Sequence, residues 1–267
     1  MTPILQSHLP FAPWMEARTA RLPGTQPVDG EDWLRVDDAF APQMAERDRL
    51  LGSSAPVVHA LLPQAVPAAA ELLDMVLDRL TRMPGYKVTP AIVVRPDGVP
   101  VGVDRATPLM TLGRLVQEDL CLLQSGAGGA HLLTGAVLCF PASWTLTQKI
   151  GKPLTGIHGP VPEYDANVAL RVQRLFDALR VGQPLWRANA LIYDDPTLHQ
   201  PRMEGVDRPR PVQRLYVRSE RQCLIRLPQS GAVAFVIHTY LVRLADLTAP
   251  ERQTLIDLKG GKGPPSL

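Results

Sequence analysis

Apolar residues recur with two different periods along this chain, and each change of period marks a predicted element. In residues 68–83, Leu72, Leu73, Val76, Leu77 and Leu80 form one stripe at helical spacing, with Glu71, Asp74, Asp78 and Arg79 off it. The pattern predicts an amphipathic helix ended by Pro84-Gly85. Residues 166–180 repeat the pattern, with Val168, Val172, Leu175, Phe176 and Leu179 on one face. Residues 41–51 read as a charged helix, and residues 31–40 as a short helix or turn. Alternation replaces the helical period in residues 91–103, a hairpin turning at Pro96-Asp97-Gly98. Further strands are predicted at 117–124, 131–140, 185–193, 215–227 and 233–242. Between the first two of these, Ser125-Gly126-Ala127-Gly128-Gly129 is read as a turn. A dinucleotide loop would need a helix after those glycines, and a strand follows instead.

These elements predict an α+β chain. From about residue 115 to 245 the order is two strands, helices, then three strands, which is the order of a PAS domain. An antiparallel sheet there curves over short helices and leaves a pocket between them. The chain divides accordingly into an N-terminal extension with helices and a hairpin (1–110), a PAS-like domain (111–248) and a C-terminal tail (249–267), whose last residues, 259–267, are expected to be disordered. The first 30 residues read as an extended arm. The 27 prolines concentrate in the first hundred residues and near connections, where they suit ordered extended segments.

Composition narrows the function. Apolar residues make up 45% and charged residues 20%, ordinary globular values. A net charge of +2, scattered arginines and 5% aromatics argue against a nucleic-acid partner. Nothing resembles a signal peptide, and no apolar run approaches the roughly 20 residues that span a bilayer, so a cytoplasmic protein without membrane contact is expected. Cys121, Cys139 and Cys223 are odd in number and far apart, which suits reduced thiols better than a disulfide framework or a zinc site.

Candidate chemistry is sparse. Walker, HExxH and GxSxG motifs do not occur. None of the six histidines has the i, i+4 spacing of a helical metal pair. His158 stands out by its setting, Gly156-Ile157-His158-Gly159-Pro160-Val161-Pro162, where glycines and prolines restrict the backbone. Such a loop could aim one imidazole at iron, or could simply be a rigid turn. His131 and His238, on strands, are the runners-up. On the strand at 215–227, Arg221 shares a face with Leu215, Val217, Cys223, Ile225 and Leu227. A guanidinium among apolar neighbours needs an anion, either a ligand's or an internal acid such as Glu118 or Asp119. Arg218 and Glu220, on the other face, read as a solvated pair.

Several phrases in order resemble the haem-dependent oxidative N-demethylase family. They are Asp32-Trp33-Leu34 with Arg47 and Arg49-Leu50-Leu51, then Val116-Gln117-Glu118-Asp119-Leu120-Cys121, then Phe140-Pro141-Ala142-Ser143-Trp144 leading through Lys149-Ile150-Gly151 to Ile157-His158-Gly159-Pro160-Val161-Pro162, and finally Arg187-Ala188-Asn189 and Arg218-Ser219-Glu220-Arg221-Gln222. Together they span about residues 30 to 245. The resemblance implies a haem b site in the PAS-like domain, with His158 as axial ligand and Arg187 and Arg221 as cofactor-binding residues. It implies oxygen-dependent oxidation of a small secondary amine such as dimethylamine, fed with electrons by flavin and iron–sulfur reductase subunits on other chains. Glu118 and Asp119 are candidate catalytic groups, since a cationic amine favours a carboxylate. Two positions depart from the family pattern: Ala190, where a tryptophan is expected, and His238, where an arginine is expected. Both departures bear on whether turnover is retained. A haem-based sensor and a cofactor-free PAS-like module are the competing readings.

Overall fold

The two longest alternating segments, Tyr216–Arg226 and Val233–Arg243, pair antiparallel along their whole length and form the spine of the molecule. The computed structural model describes residues 2–16, 19–20, 23–157 and 166–260. The N-terminal part supplies β1 (Gln26–Pro27), α1 (Phe40–Ser53), the one-turn α2 (Ala55–Val58), β2 (His59–Leu61) and α3 (Val66–Leu80). A small antiparallel sheet of β3 (Lys87–Val88), β4 (Ile92–Val94) and β5 (Pro100–Gly102) follows, and then α4 (Pro108–Leu115). The hairpin β6 (Asp119–Ser125) and β7 (His131–Val137) comes next, followed by short α5 (Leu146–Lys149) and α6 (Leu154–Ile157) and the longer α7 (Ala166–Ala178). The chain ends with β8 (Leu185–Ala188), β9 (Leu191–Tyr193), β10 (Tyr216–Arg226), β11 (Val233–Arg243) and α8 (Ala249–Gly260). No helix among the described residues is long and apolar enough to cross a membrane.

The main sheet has the order β1-β8-β10-β11-β6-β7-β2, every neighbouring pair antiparallel, with β9 also pairing to β10. The glycines after β6 make a hairpin turn: Gly128 and Gly129 adopt φ of 90° and 83°, and the Gly129 amide donates to the Gly126 carbonyl.

Both faces of this sheet are covered. On one, α3 and α4 bury Leu72, Leu73, Val76, Leu80, Leu109 and Leu112 against Leu120, Leu122, Cys223 and Ile225. On the other, Phe176 and Leu179 of the α7 segment and Leu154 of α6 meet Cys121, Leu123, Leu133, Leu224 and Ile237. A strand buried on two sides carries no solvated face. The expectation that Arg218 and Glu220 are solvated therefore fails: they are 1% and 7% exposed.

Three other expectations change. The helix predicted at 68–83 runs from Val66 to Leu80, with Pro67 in its first turn. Its Glu71, read as lying off the apolar stripe, is buried because its carboxylate accepts the amides of Gln229 and Ser230 in the β10–β11 turn. Residues 249–260 form a helix rather than a tail. Leu255 buries itself beside Trp14, Ala190, Val217 and Val242, and the Trp14 indole donates to the Glu251 carbonyl at 2.9 Å.

Candidate functional site

The α7 side of the sheet does not close completely. A cavity of about 600 Å³ remains between α7 and the strands, within the range of small-molecule and cofactor sites. Val172, Leu175 and Phe176 of α7 and Leu133, Phe235 and Ile237 of the sheet line its apolar part. The apolar stripe predicted on this helix is real, and part of what it faces is a hollow.

One end of the cavity is polar and belongs to β8 and β10. Arg187 and Gln222 are cross-strand partners, and the Arg187 guanidinium donates to Gln222 Oε1 at 2.9 Å. Arg187 Nε is buried without a partner, and burial lowers the Arg187 pKa to about 10 against the opposing pull of Glu220. This is a half-buried cation with no carboxylate in salt-bridge contact and one buried nitrogen left without a partner. Asn189 clamps Glu220: its amide donates to Glu220 Oε2 at 3.1 Å and its carbonyl accepts the Glu220 backbone amide at 2.9 Å. Gln222 donates to the same carboxylate oxygen at 3.0 Å. Both Glu220 and Gln222 line the cavity.

The loop between β9 and β10 forms the remaining wall. Arg202 lines the cavity with its Nε buried and unpartnered. Arg208, also in the lining, stacks 3.5 Å from the centre of the Tyr193 ring. Ser143, whose amide donates to the Gln200 carbonyl of this loop, holds a left-handed backbone, φ 67°, with its hydroxyl buried and unpartnered. A serine in that region of φ marks a position held by its surroundings. Lys149 and Ile157 complete the rim.

The structure separates the residues expected at the site. Arg187 lines the cavity. His158 lies outside the described residues; Ile157, which precedes it, is in the cavity wall. Arg221 is interior, but it projects from the opposite face of β10. It pairs with Asp32 at 3.2 Å and lies over the Trp186 ring, so its anion is a protein carboxylate, and neither Glu118 nor Asp119 is that partner. Glu118 and Asp119 do not line the cavity. Asp119 accepts the amides of Cys139 and Phe140 and pairs with the fully buried Arg47 at 2.6 Å, which pins the end of β7 to α1. Glu118 accepts the Arg35 amide and pairs with His238 at 2.8 Å, while the other nitrogen of His238 meets Asp37 at 3.0 Å. Burial alone would lower the His238 pKa. The charges of Glu118 and Asp37 and the hydrogen bonds to both outweigh it and push the imidazole up to about 9.

The other histidines are engaged elsewhere. The ring of His131 is 3.0 Å from the Gln173 side-chain nitrogen, and that of His199 is 2.8 Å from the Cys139 carbonyl. Cys121 does reach the cavity wall, but burial pushes its thiol pKa up, away from the thiolate a metal would need. The two departures from the family pattern also fall away from the cavity. Ala190 packs beside Trp14, and His238 belongs to the carboxylate cluster with Glu118 and Asp37. Neither takes a wall or a charge from the site.

Glu220 and Arg202 are among the lining groups that the sequence reading did not assign to a site. Glu220 was legible in principle, since it alternates with Gln222 and Leu224 and so takes the face opposite Arg221. Arg202 gave no signal, because its burial depends on a loop folding back over the cavity.

The family described as haem-dependent oxidative N-demethylase, alpha subunit-like, matches residues 24–260. The chain belongs to this family. The matched span includes every residue of the cavity wall except Pro23. The name carries haem dependence, and the residues present fit that group. A broad apolar wall would accept a macrocycle. The buried, unpartnered nitrogens of Arg187 and Arg202 are donors that two carboxylates would satisfy.

Proposed function

We propose that this chain is the haem-binding subunit of an oxygen-dependent amine oxidase, a PAS-like domain that holds haem b in the α7 cavity. Its substrate is a small secondary amine resembling dimethylamine, and its electrons come from flavin and iron–sulfur partner subunits. The five strands β7-β6-β11-β10-β8, with the helical segment crossing between the hairpin and the last three, support the PAS-like reading. The observation that carries the haem reading is the cavity itself, apolar along α7 and ended by a half-buried guanidinium whose Nε has no partner.

When bound, the haem would supply oxygen binding and one-electron chemistry. The chain's own residues do the rest. Arg187 and Arg202 would hold the haem's carboxylates. His158, which follows Ile157 in the sequence, would ligate the iron in this reading. Glu220, fixed by Asn189 and Gln222, offers the buried carboxylate that a protonated amine needs, the role the sequence reading gave to Glu118 and Asp119. Val172, Leu175 and Phe176 exclude water from the reacting centre.

The test is reconstitution with hemin. Wild type should take up about one equivalent and develop a Soret band. His158→Ala should lower retention and shift the band, while His8→Ala and His59→Ala should leave both unchanged. An unshifted spectrum in His158→Ala would remove the ligand assignment. No uptake by wild type would return the chain to a cofactor-free module.

A further inference from the structure

Arg187 and Glu220 carry opposite charges at the same polar end of the cavity, yet they form no ion pair with each other. Distance along the sheet does not explain this. Arg187 stands directly across from Gln222, and Glu220 is two positions further along the same face of β10. Diagonal neighbours of that kind are about 7–8 Å apart, within reach of a long side chain. What stands between them is Gln222, itself only 5% exposed. Its Oε1 accepts from the Arg187 guanidinium at 2.9 Å, and its Nε2 donates to Glu220 Oε2 at 3.0 Å. One amide, engaged at both ends, separates a cation and an anion that would attract each other strongly at a desolvated site.

The rest of the cluster sharpens the asymmetry. Asn189 donates to the same Oε2 at 3.1 Å, so that oxygen is held by two neutral donors. The other oxygen, Oε1, faces Arg218, whose Nε stands 3.8 Å away, beyond hydrogen-bond range. Arg218 is tied in turn to the carbonyls of Leu198 and Phe140. Glu220 therefore already has one guanidinium beside it, while Arg187 has no carboxylate. Two guanidinium groups and one carboxylate leave this end of the cavity positive, with Arg187 Nε buried and unpartnered.

We propose that Gln222 is a positioning residue: by bridging Arg187 and Glu220 it stops them from closing on each other, and so keeps the Arg187 guanidinium open to a carboxylate of the cofactor. The inference rests on the cavity holding a macrocycle that bears carboxylates. Glutamine suits the task because its amide offers an acceptor to the arginine and a donor to the glutamate at once. A glutamate in its place would neutralise Arg187. An apolar residue would let Arg187 fold back onto Glu220.

The test uses deuteroporphyrin IX and its dimethyl ester. These metal-free macrocycles differ only in whether their carboxylates are free, so no iron ligand enters the result. Wild type should bind the free acid more tightly than the ester by about tenfold, the order expected of a charge-assisted hydrogen bond. Gln222→Met keeps the length of the side chain and loses the bridge, and it should cut that preference several-fold. Adding Glu220→Gln should restore the preference, because Arg187 then has no carboxylate to fold back onto. Gln222→Glu should lose the preference and stay without it beside Glu220→Gln, since the new carboxylate answers Arg187 directly. A purely structural role for Gln222 would weaken both porphyrins alike and would not be rescued by a second substitution. A crystal structure of ligand-free Gln222→Met supplies an independent arm and should show Arg187 in direct contact with Glu220. No preference in wild type, a preference unchanged in Gln222→Met, or one not regained on adding Glu220→Gln would overturn the proposal. If wild type binds neither porphyrin, it is the haem reading that fails. The crystal structure then decides the role of Gln222: direct contact supports the spacer, and an unmoved Arg187 overturns it.

Discussion

At the scale of single residues, the carboxylates divide by what holds them. Glu220 is held at the cavity by Asn189 and Gln222, whereas Glu118 and Asp119 brace the N-terminal layer. The cluster of Glu118, His238 and Asp37 gives a pH signature of that layer. His238 is pushed up to about 9 in the folded chain, against roughly 6.5 when unfolded. Between those values the folded chain binds more protons than the unfolded one, so stability falls as pH rises. The contribution is fully present below about 6.5, is lost through 9, and is at most on the order of 3 kcal/mol. Urea unfolding of wild type from pH 6 to 10 should show that decline, and His238→Gln should flatten it. An equal decline in both would place the titrating group elsewhere. Burial of the opposing residues was not visible in the sequence. Arg221 could be assigned to the interior from its apolar neighbours, but its partner Asp32 lies 189 positions away, and nothing in the strand's alternation selects it over Glu118.

At the scale of elements, α3, α7 and the paired strands were legible because each carries a single apolar period over enough residues. Helix α4 was not, since it has only eight residues and three residues separate it from an apolar strand. The β9–β10 loop was illegible as a wall, because it has no period at all. It is shaped instead by Asp194, whose carboxylate accepts the successive amides of Val212, Gln213 and Arg214, the last in a left-handed conformation. Asp194→Ala should free this loop without unfolding the sheet. Limited trypsin digestion should then cut after Arg202 and Arg214 several-fold faster than in wild type, and transfer of hemin to excess apomyoglobin should speed up. Unchanged cleavage would mean that the other anchors, Arg208 on Tyr193 and Glu204 on Lys149 and Gln148, hold the loop without Asp194.

At the scale of the whole molecule, the sheet divides two kinds of work. One face and its flanks are packing and charge clusters that join the N-terminal arm, α1, α3, α4 and α8 to the strands; the other face carries the cavity. Trp14 belongs to the first kind. Trp14→Ala should cost about 3–5 kcal/mol in denaturant unfolding. It should leave hemin affinity under native conditions within about twofold, since a difference of that size is well under 1 kcal/mol. A large loss of affinity would contradict the division. The central claim, that haem occupies the space between α7 and the sheet, is tested most directly by hemin titration of Val172→Trp beside wild type and His8→Ala. Val172 lines that space, so an indole there should fill it and abolish stoichiometric uptake while circular dichroism stays native. Stoichiometric hemin binding by Val172→Trp with an unaltered Soret band would show that the haem sits somewhere else.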